Sequence, residues 1–247
     1  MSAVDCGAFA RAGYVLLPGL VPASRASRLA GHYLAVRKSA AADGDAGSMD
    51  RHDRLLQVHL RDAESRWLAH HAPLVDAVAT LLDDDPLLAK TIVYFKPPGA
   101  RGVALHQDER FFPLTPLVSA VVALDACDQE NGGLRVVPGS HIGGLLPVEE
   151  DDPSRSILTH RTALGDRVGD VGIDMRPGDV LLMHGALVHG SAPNQSLDRF
   201  RRSVLCIFTG HRTAGFSDLL VQLAERAAAS PAIAGRILSE PAREGKT

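Results

Sequence analysis

The sequence predicts a mainly β fold: a core of short antiparallel strands over about residues 86–210, braced by helices on either side. Three observations carry this. After Pro86, runs rich in Val, Ile, Leu and Phe (87–96, 117–124, 134–138, 171–175, 179–183 and 202–209) are punctuated by Gly, Pro, Asp and Asn. Regular punctuation of that kind belongs to an antiparallel sandwich or barrel. Before Pro86, large apolar residues recur at helical intervals. From about Ser217 the chain returns to a helical pattern, with Ser230-Pro231 placed as an N-cap followed by proline in the first turn.

Taken in order, residues 5–12 suit a short helix, and Tyr14–Leu17 a brief strand closed by Pro18-Gly19. Pro22 sits where a helix can begin, with Leu29, Tyr33, Leu34 and Val36 as its core face. Residues 39–50 (SAAADGDAGSMD) lack large apolar side chains and read as a surface loop. Leu55, Leu56, Val58 and Leu60 suit a strand. Residues 62–83 read as a second long helix with Trp67, Leu68, Leu74, Val75, Val78, Leu81 and Leu82 inward, and Pro73 marks a helix start or a break. With no repeat, low-complexity tract or linker, the expectation is a single domain over 1–247: a helical N-terminal region over 1–85, a β core over 86–210 and a helical tail over 215–240.

Composition narrows the function. Lys+Arg is 26 and Asp+Glu 29, so there is no bulk attraction to nucleic acid or anionic membrane. Cys6, Cys127 and Cys206 are odd in number and widely spaced, which argues against a disulfide framework and fits a reducing compartment. Met1–Ala12 lacks the basic start and apolar core of a leader, and no apolar run reaches membrane-helix length. The expected location is the cytoplasm.

Three segments carry chemistry. Tyr94-Phe95-Lys96-Pro97-Pro98-Gly99 leads to His106-Gln107-Asp108; Asn131-Gly132-Gly133-Leu134 closes on Pro138-Gly139-Ser140-His141; and His189-Gly190-Ser191 precedes Asn194, Ser196 and Arg201-Arg202. In extended chain, His106 and Asp108 share a face with their Cα atoms roughly 6–7 Å apart. They can converge on one cation, with His189 as a distant third ligand. Two His and one carboxylate on one face of an octahedron leave the other face open, as in non-haem Fe(II) oxygenases. An arginine downstream of His189 suits the far carboxylate of a dicarboxylate such as 2-oxoglutarate, because guanidinium and carboxylate match as two-pronged partners. Ser191 can add a hydroxyl donor. A lone His-x-Asp is weak evidence, and the combination is what carries weight.

In this order, these segments resemble the phytanoyl-CoA dioxygenase family of Fe(II)/2-oxoglutarate-dependent oxygenases, over about residues 9–210 and including the opening Gly13-Tyr14-Val15-Leu16-Leu17-Pro18-Gly19. The resemblance implies a double-stranded β-helix (jelly roll, cupin-like) and an enzyme that uses Fe(II), 2-oxoglutarate and dioxygen. The reaction implied is hydroxylation of an unactivated C–H bond of a small molecule, in secondary or amino-acid metabolism, with release of succinate and carbon dioxide. It implies His106, Asp108 and His189 as iron ligands. The family's co-substrate arginine falls on Arg201, although the usual spacing points one residue earlier, where Phe200 stands. Arg202 is the alternative, and strand alternation turns only one of the two inward. Ser191 and Lys96 resemble further 2-oxoglutarate contacts, and Gln107 and Gln57 are added candidates. Arg110, Phe111 and Arg135 are candidates for bordering the substrate.

Other readings accompany these. The same iron chemistry serves desaturation, epimerisation or cyclisation, and Asp108 argues against halogenation, which needs a small residue there. A metal hydrolase, or a non-catalytic metal-binding module, would not need Arg201. His141 reads as a structural turn residue, His184 as a packed one, His70 and His71 as solvated, and Glu109 as pointing away from Asp108.

Overall fold

The computed structural model describes residues 4–42, 54–60, 63–112, 114–165 and 169–214. The expected C-terminal helix and most of the 39–50 loop lie outside them.

Helix α1 (Cys6–Ala12) is capped by the Asp5 carboxylate, which accepts from Ala8 N at 2.8 Å. It ends at Gly13, whose φ of 82° is left-handed and costs glycine little. Strand β1 (Tyr14–Leu17) and helix α2 (Ala23–Ala42) follow. The helix runs past residue 39, into the stretch that reads as loop in the sequence.

The stretch around Leu55–Leu60 corrects the expectation of one strand. Strand β2 spans only Arg54–Leu56. Gln57 then takes a left-handed φ of 54°, which breaks the pleat, and Val58–Leu60 form a 3-10 turn that leaves Leu60 exposed. The expected 62–83 helix is two, α3 (Ala63–Ala69) and α4 (Ala72–Leu82). Pro73 in the first turn of α4 has no N–H to continue α3, so the break falls just before it. His71 is not simply solvated: it stacks on Trp67 with ring centroids 4.5 Å apart, and its Nε2 bonds to Leu20 O at 3.0 Å. His70 is exposed.

The β core comprises β3 (Pro86–Lys96), β4 (Val103–His106), β5 (Thr115–Ala123), β6 (Leu134–Val136), β7 (Val148–Glu150), β8 (His160–Thr162), β9 (Val171–Ile173), β10 (Val180–His184), β11 (His189–Ser191) and β12 (Arg201–Ala214). They form an antiparallel six-stranded sheet ordered β1-β10-β5-β12-β3-β2, a four-stranded sheet ordered β4-β11-β6-β9, and the β7-β8 hairpin. This is the jelly-roll arrangement.

Side-chain alternation separates two cores. From the large sheet, Val93, Phe95, Val118, Ala120, Val122, Val204 and Cys206 face the helices and meet Leu29, Tyr33, Leu74 and Val78. Val121, Leu181, Met183, Leu205 and Ile207 face inward and meet Leu134, Val136 and Ile173 of the small sheet. Each strand of the large sheet is therefore apolar on both faces, and that is why its runs in the sequence are continuous. A polar side chain on the inner face must find a partner inside the barrel.

Candidate metal centre

The metal-competent group sits on the inner face of the small sheet. His106 ends β4, His189 begins β11, and the two are direct partners in the antiparallel ladder. Their rings lie 4.4 Å apart. Asp108 follows at the start of a one-turn 3-10 segment (Asp108–Arg110) and is buried. Its Oδ1 is 3.6 Å from His106 Nε2 and its Oδ2 3.6 Å from His189 Nε2. Among the described residues these three are the group of His, Cys, Asp and Glu that could hold a metal ion, with all ligand atoms within 4.8 Å of one another.

The hydrogen bonds behind the rings set their tautomers. His106 Nδ1 lies 2.7 Å from Ala104 O, and His189 Nδ1 lies 3.0 Å from Leu187 O. A carbonyl only accepts, so each Nδ1 carries the proton and donates. Each neutral ring then turns a bare Nε2 lone pair toward Asp108. Two lone pairs and a carboxylate aimed at one point repel each other unless a cation lies between them. The donor set therefore fits a divalent metal. Where protons on Nε2 stand in for that cation, burial pushes the Asp108 carboxyl up, but the His189 charge, the hydrogen bond and charge of His106, and the Ser119 hydroxyl outweigh it and hold Asp108 well below the usual carboxylate range. Ser119, on the inner face of β5 and fully buried, donates to Asp108 Oδ2 at 2.5 Å.

His106 and His189 open on a cavity of about 420 Å³, mouth included, lined also by Tyr94, Val103, Val121, Leu134, Ser191, Arg201, Ser203 and Leu205. Arg201 in its wall is 3% exposed. Its Nε donates to Gly132 O at 3.2 Å and its Nη1 to Ser203 Oγ at 2.8 Å. Among the described residues no carboxylate pairs with it. Burial lowers its pKa, as for any cation denied a counter-charge. Arg202 faces the other way: its Nε and Nη2 grip Asp125 at 2.7 Å each, and its Nη1 reaches Ala30 O of α2 at 3.3 Å. Alternation on β12 thus turns Arg201 into the cavity and Arg202 to the helix layer.

Lys96, at the end of β3, is 5% exposed. Its Nζ donates to Ser191 Oγ at 2.7 Å, Ala192 O at 2.6 Å and Gly132 O at 3.3 Å. The glycine turn makes room for it. Gly132 has φ 87°, and a Cβ there would run into the lysine stem and Ala192 O. Asn131 holds the turn from behind, accepting from Asp128 N at 2.9 Å and donating to Ala126 O at 2.7 Å.

Other candidates stand elsewhere. Gln107 is fully buried behind the ligands. Its Nε2 donates to Gly144 O and Ala186 O at 3.0 and 2.7 Å, and its Oε1 accepts from Leu146 N at 2.8 Å. It staples the 144–146 loop and the turn before His189 to the metal segment, and it does not line the cavity. Gln57 does not line it either: its Oε1 accepts from Thr91 N at 3.2 Å. Phe111 packs its edge near the His106 ring, 5.7 Å between centroids, and is half exposed. The Arg110 guanidinium is bonded to Leu146 O. Arg135 lies on the outer face of β6, ion-paired to Asp170 at 2.6 Å, and faces a second groove by the β7-β8 hairpin that adjoins the metal cavity at Val103 and Ser191. Arg135→Gln should therefore lower the melting temperature and leave ligand binding in the metal cavity unchanged. A thermal melt and a titration read the two effects separately.

His184 stacks between Phe9 and His141, and His141 Nε2 bonds to Ala10 O at 3.1 Å, so both serve packing. Glu109 lies against Gly185 and donates its backbone N–H to Gly185 O at 3.0 Å. Sequence reasoning missed Ser119 and Ser203, and gave Tyr94 no role in the cavity although it opens the first of the three segments. The only signal of the two serines is a polar group at an inward position of an otherwise apolar strand.

Comparison with known proteins agrees with this geometry. The phytanoyl-CoA dioxygenase (PhyH) family profile matches residues 9–203. A probable phytanoyl-CoA dioxygenase of Caenorhabditis elegans is 30% identical over 146 residues, covering 54% of this chain and 46% of that protein. The peroxisomal phytanoyl-CoA dioxygenase of Bos taurus is 36% identical over 110 residues, covering 42% and 32%. The match thus spans under half the length of these curated relatives. Among solved structures, the non-heme monooxygenase ThoJ in its apo form superposes with a TM-score of 0.73 at 25% identity, covering 85% of this chain and 78% of that one. The epimerase SnoN, in complex with Fe3+, alpha ketoglutarate and nogalamycin RO, superposes with a TM-score of 0.66 at 25% identity, covering 87% of each chain. A jelly roll, a His-Asp-His group on its small sheet and a family profile matched from α1 into β12 lead to one conclusion: the chain belongs to the phytanoyl-CoA dioxygenase family.

Proposed function

We propose that the chain is an Fe(II)- and 2-oxoglutarate-dependent oxygenase that hydroxylates an unactivated C–H bond of a small molecule. One observation carries this reading. One cavity is lined both by the two histidines of a converging His-Asp-His group and by a buried guanidinium that no described carboxylate pairs with. A metal hydrolase would need the first of these only. In this reading His106, Asp108 and His189 hold the iron, and Arg201, with the Ser191 and Ser203 hydroxyls, takes the far carboxylate of 2-oxoglutarate. When bound, iron with 2-oxoglutarate and dioxygen supplies the oxidation, leaving succinate and carbon dioxide.

The protein's own residues provide orientation and dryness. Ser119 and the carbonyls of Ala104 and Leu187 fix the ligands, and Val121, Leu134 and Leu205 exclude water from the cavity wall. Phe111, beside His106 and half exposed, borders the substrate, whereas Arg110 and Gln107 support the rim by holding the 144–146 loop. The likeness to SnoN, an epimerase by name, keeps epimerisation as a second outcome of the same site. Among the described residues no helix is long and apolar enough to cross a membrane. The three free thiols support a reducing, cytoplasmic setting.

The test is anaerobic. Adding Fe(II) and 2-oxoglutarate together should produce the weak visible charge-transfer band of a chelated 2-oxo acid. A screen of amino acids and secondary metabolites for succinate release then finds the substrate, and product analysis separates hydroxylation from epimerisation. Absence of 2-oxoglutarate binding to the iron-loaded protein would overturn the reading.

A further inference from the structure

Lys96 and Arg201 are direct partners in the antiparallel ladder between β3 and β12, so their side chains leave the sheet on the same side. Both are buried, and both donate to one carbonyl oxygen, that of Gly132, from 3.3 and 3.2 Å. Neither has an ion pair with a described carboxylate. The groups facing Lys96 supply no anion. On β12 stands the Arg201 guanidinium. On the segment before β6 stands Cys127, whose thiol burial pushes up and so keeps neutral. Beyond it Asp128 is committed to Arg199 through two bonds. On β3 itself stands Tyr94, whose phenol burial also pushes up. Two cations sharing one carbonyl in a dry site repel each other, and only the lysine can shed its proton.

We infer that, in the free enzyme near neutral pH, Lys96 is a neutral amine, and that binding of the dianionic co-substrate beside Arg201 draws one proton from solvent onto it. This rests on the 2-oxoglutarate reading of the cavity. Burial first, and the Arg201 charge second, bring the lysine down to about 6. A dianion in the cavity reverses that balance by supplying the missing counter-charge.

The proton also sets Ser191. A neutral amine has two N–H groups, which the carbonyls of Gly132 and Ala192 occupy, so its lone pair takes the Ser191 O–H. The ammonium has three N–H groups, which match its three acceptors. Ser191 Oγ then accepts from Lys96, and its own O–H is released to point into the cavity it lines. Lys96 is thus a positioning residue: it arms Ser191 as a donor when an anion arrives. The balance is R–NH2 + H+ → R–NH3+, with the proton supplied by buffer.

The linkage has a definite sign. The bound state holds one more proton, so affinity for 2-oxoglutarate should fall as pH rises above about 6, by up to about tenfold per unit until the raised pKa of the complex is passed. The experiment is calorimetric titration of the anaerobic, Fe(II)-loaded enzyme with 2-oxoglutarate, near pH 7.5, in HEPES and in Tris, whose ionisation heats differ. Wild type should show uptake of about one proton. Lys96→Arg cannot lose its charge, so it should bind without that uptake and with a flatter pH dependence. Lys96→Met, checked for folding by its thermal melt, should also show no uptake, with weaker binding. Binding by wild type with equal heats in both buffers would overturn the inference, as would uptake unchanged in both variants. No binding to wild type would instead overturn the co-substrate reading on which it rests.

Discussion

Alanine in place of His189 or Asp108 should weaken Fe(II) binding by more than about 100-fold and remove turnover with it, because two remaining ligands hold a divalent ion poorly. The lost side chain cannot be replaced from nearby. Asp108 and His189 are almost fully buried, and no other His, Cys, Asp or Glu among the described residues completes such a group. Ser119→Ala provides an internal scale. It keeps all three ligands but frees Asp108 Oδ2 from its hydroxyl, and loss of an orienting partner of this kind costs about 10–100-fold in affinity. Anaerobic competition against a colorimetric Fe(II) chelator measures both. Iron affinity unchanged in His189→Ala would remove the metal centre from this position.

Replacement of Arg201 should separate co-substrate from metal. Arg201→Met should leave iron affinity within about threefold of wild type, because the guanidinium is bonded to Gly132 O and Ser203 Oγ and to none of the three ligands. It should weaken 2-oxoglutarate binding by about 2–4 kcal/mol, roughly 30- to 1000-fold, the cost of losing a charge-assisted two-pronged contact in a dry site. The neighbouring substitution reads differently. Arg202→Ala removes the two-pronged ion pair to Asp125 and the hydrogen bond to Ala30 O. It should lower the melting temperature and leave 2-oxoglutarate affinity nearly intact. Titration of the iron-loaded variants with 2-oxoglutarate checks both. The reverse pattern would mean that Arg202, and not Arg201, serves the cavity.

The strands legible in the sequence are those of the large sheet together with β6 and β9 of the small one, which the runs 134–138 and 171–175 mark. Runs such as Val118–Ala123 and Val204–Phe208 are apolar at nearly every position because both faces are covered. Strands β7, β8 and β11 leave no such trace. They are three residues long and include Glu149, Arg161 and Gly190, so no run of apolar residues marks them, and β4 carries only the short run Val103–Leu105 before His106. The metal segment is legible because His-x-Asp and His-Gly-Ser are compact and their residue types are costly to place without purpose. Arg135 misleads for the same reason. A charge inside an apolar strand suggests a site, but the alternation of β6 turns it outward to Asp170. Ser119 and Ser203 pose the opposite problem: a single hydroxyl in a β run is ordinary until the partner across the barrel is known.

The loop between β11 and β12 has a consequence for how such chains diverge. Asn194 closes it from within, donating to Arg199 O and accepting from Ser196, and ties it to β3 by donating to Lys96 O. The place of Arg201 is decided by its rung opposite Lys96, whatever the number of residues looped out before it. An insertion of one residue can therefore be absorbed in the loop while the ladder re-engages at the same rung. Counting along the chain from His189 then lands on Phe200, whereas counting across the sheet from Lys96 lands on the arginine. For aligning distant members, the cross-strand neighbour is a steadier ruler than linear spacing. Engineered length changes at the loop tip, beside Leu197, which is 95% exposed, should be tolerated far better than any change that slides β12 along β3.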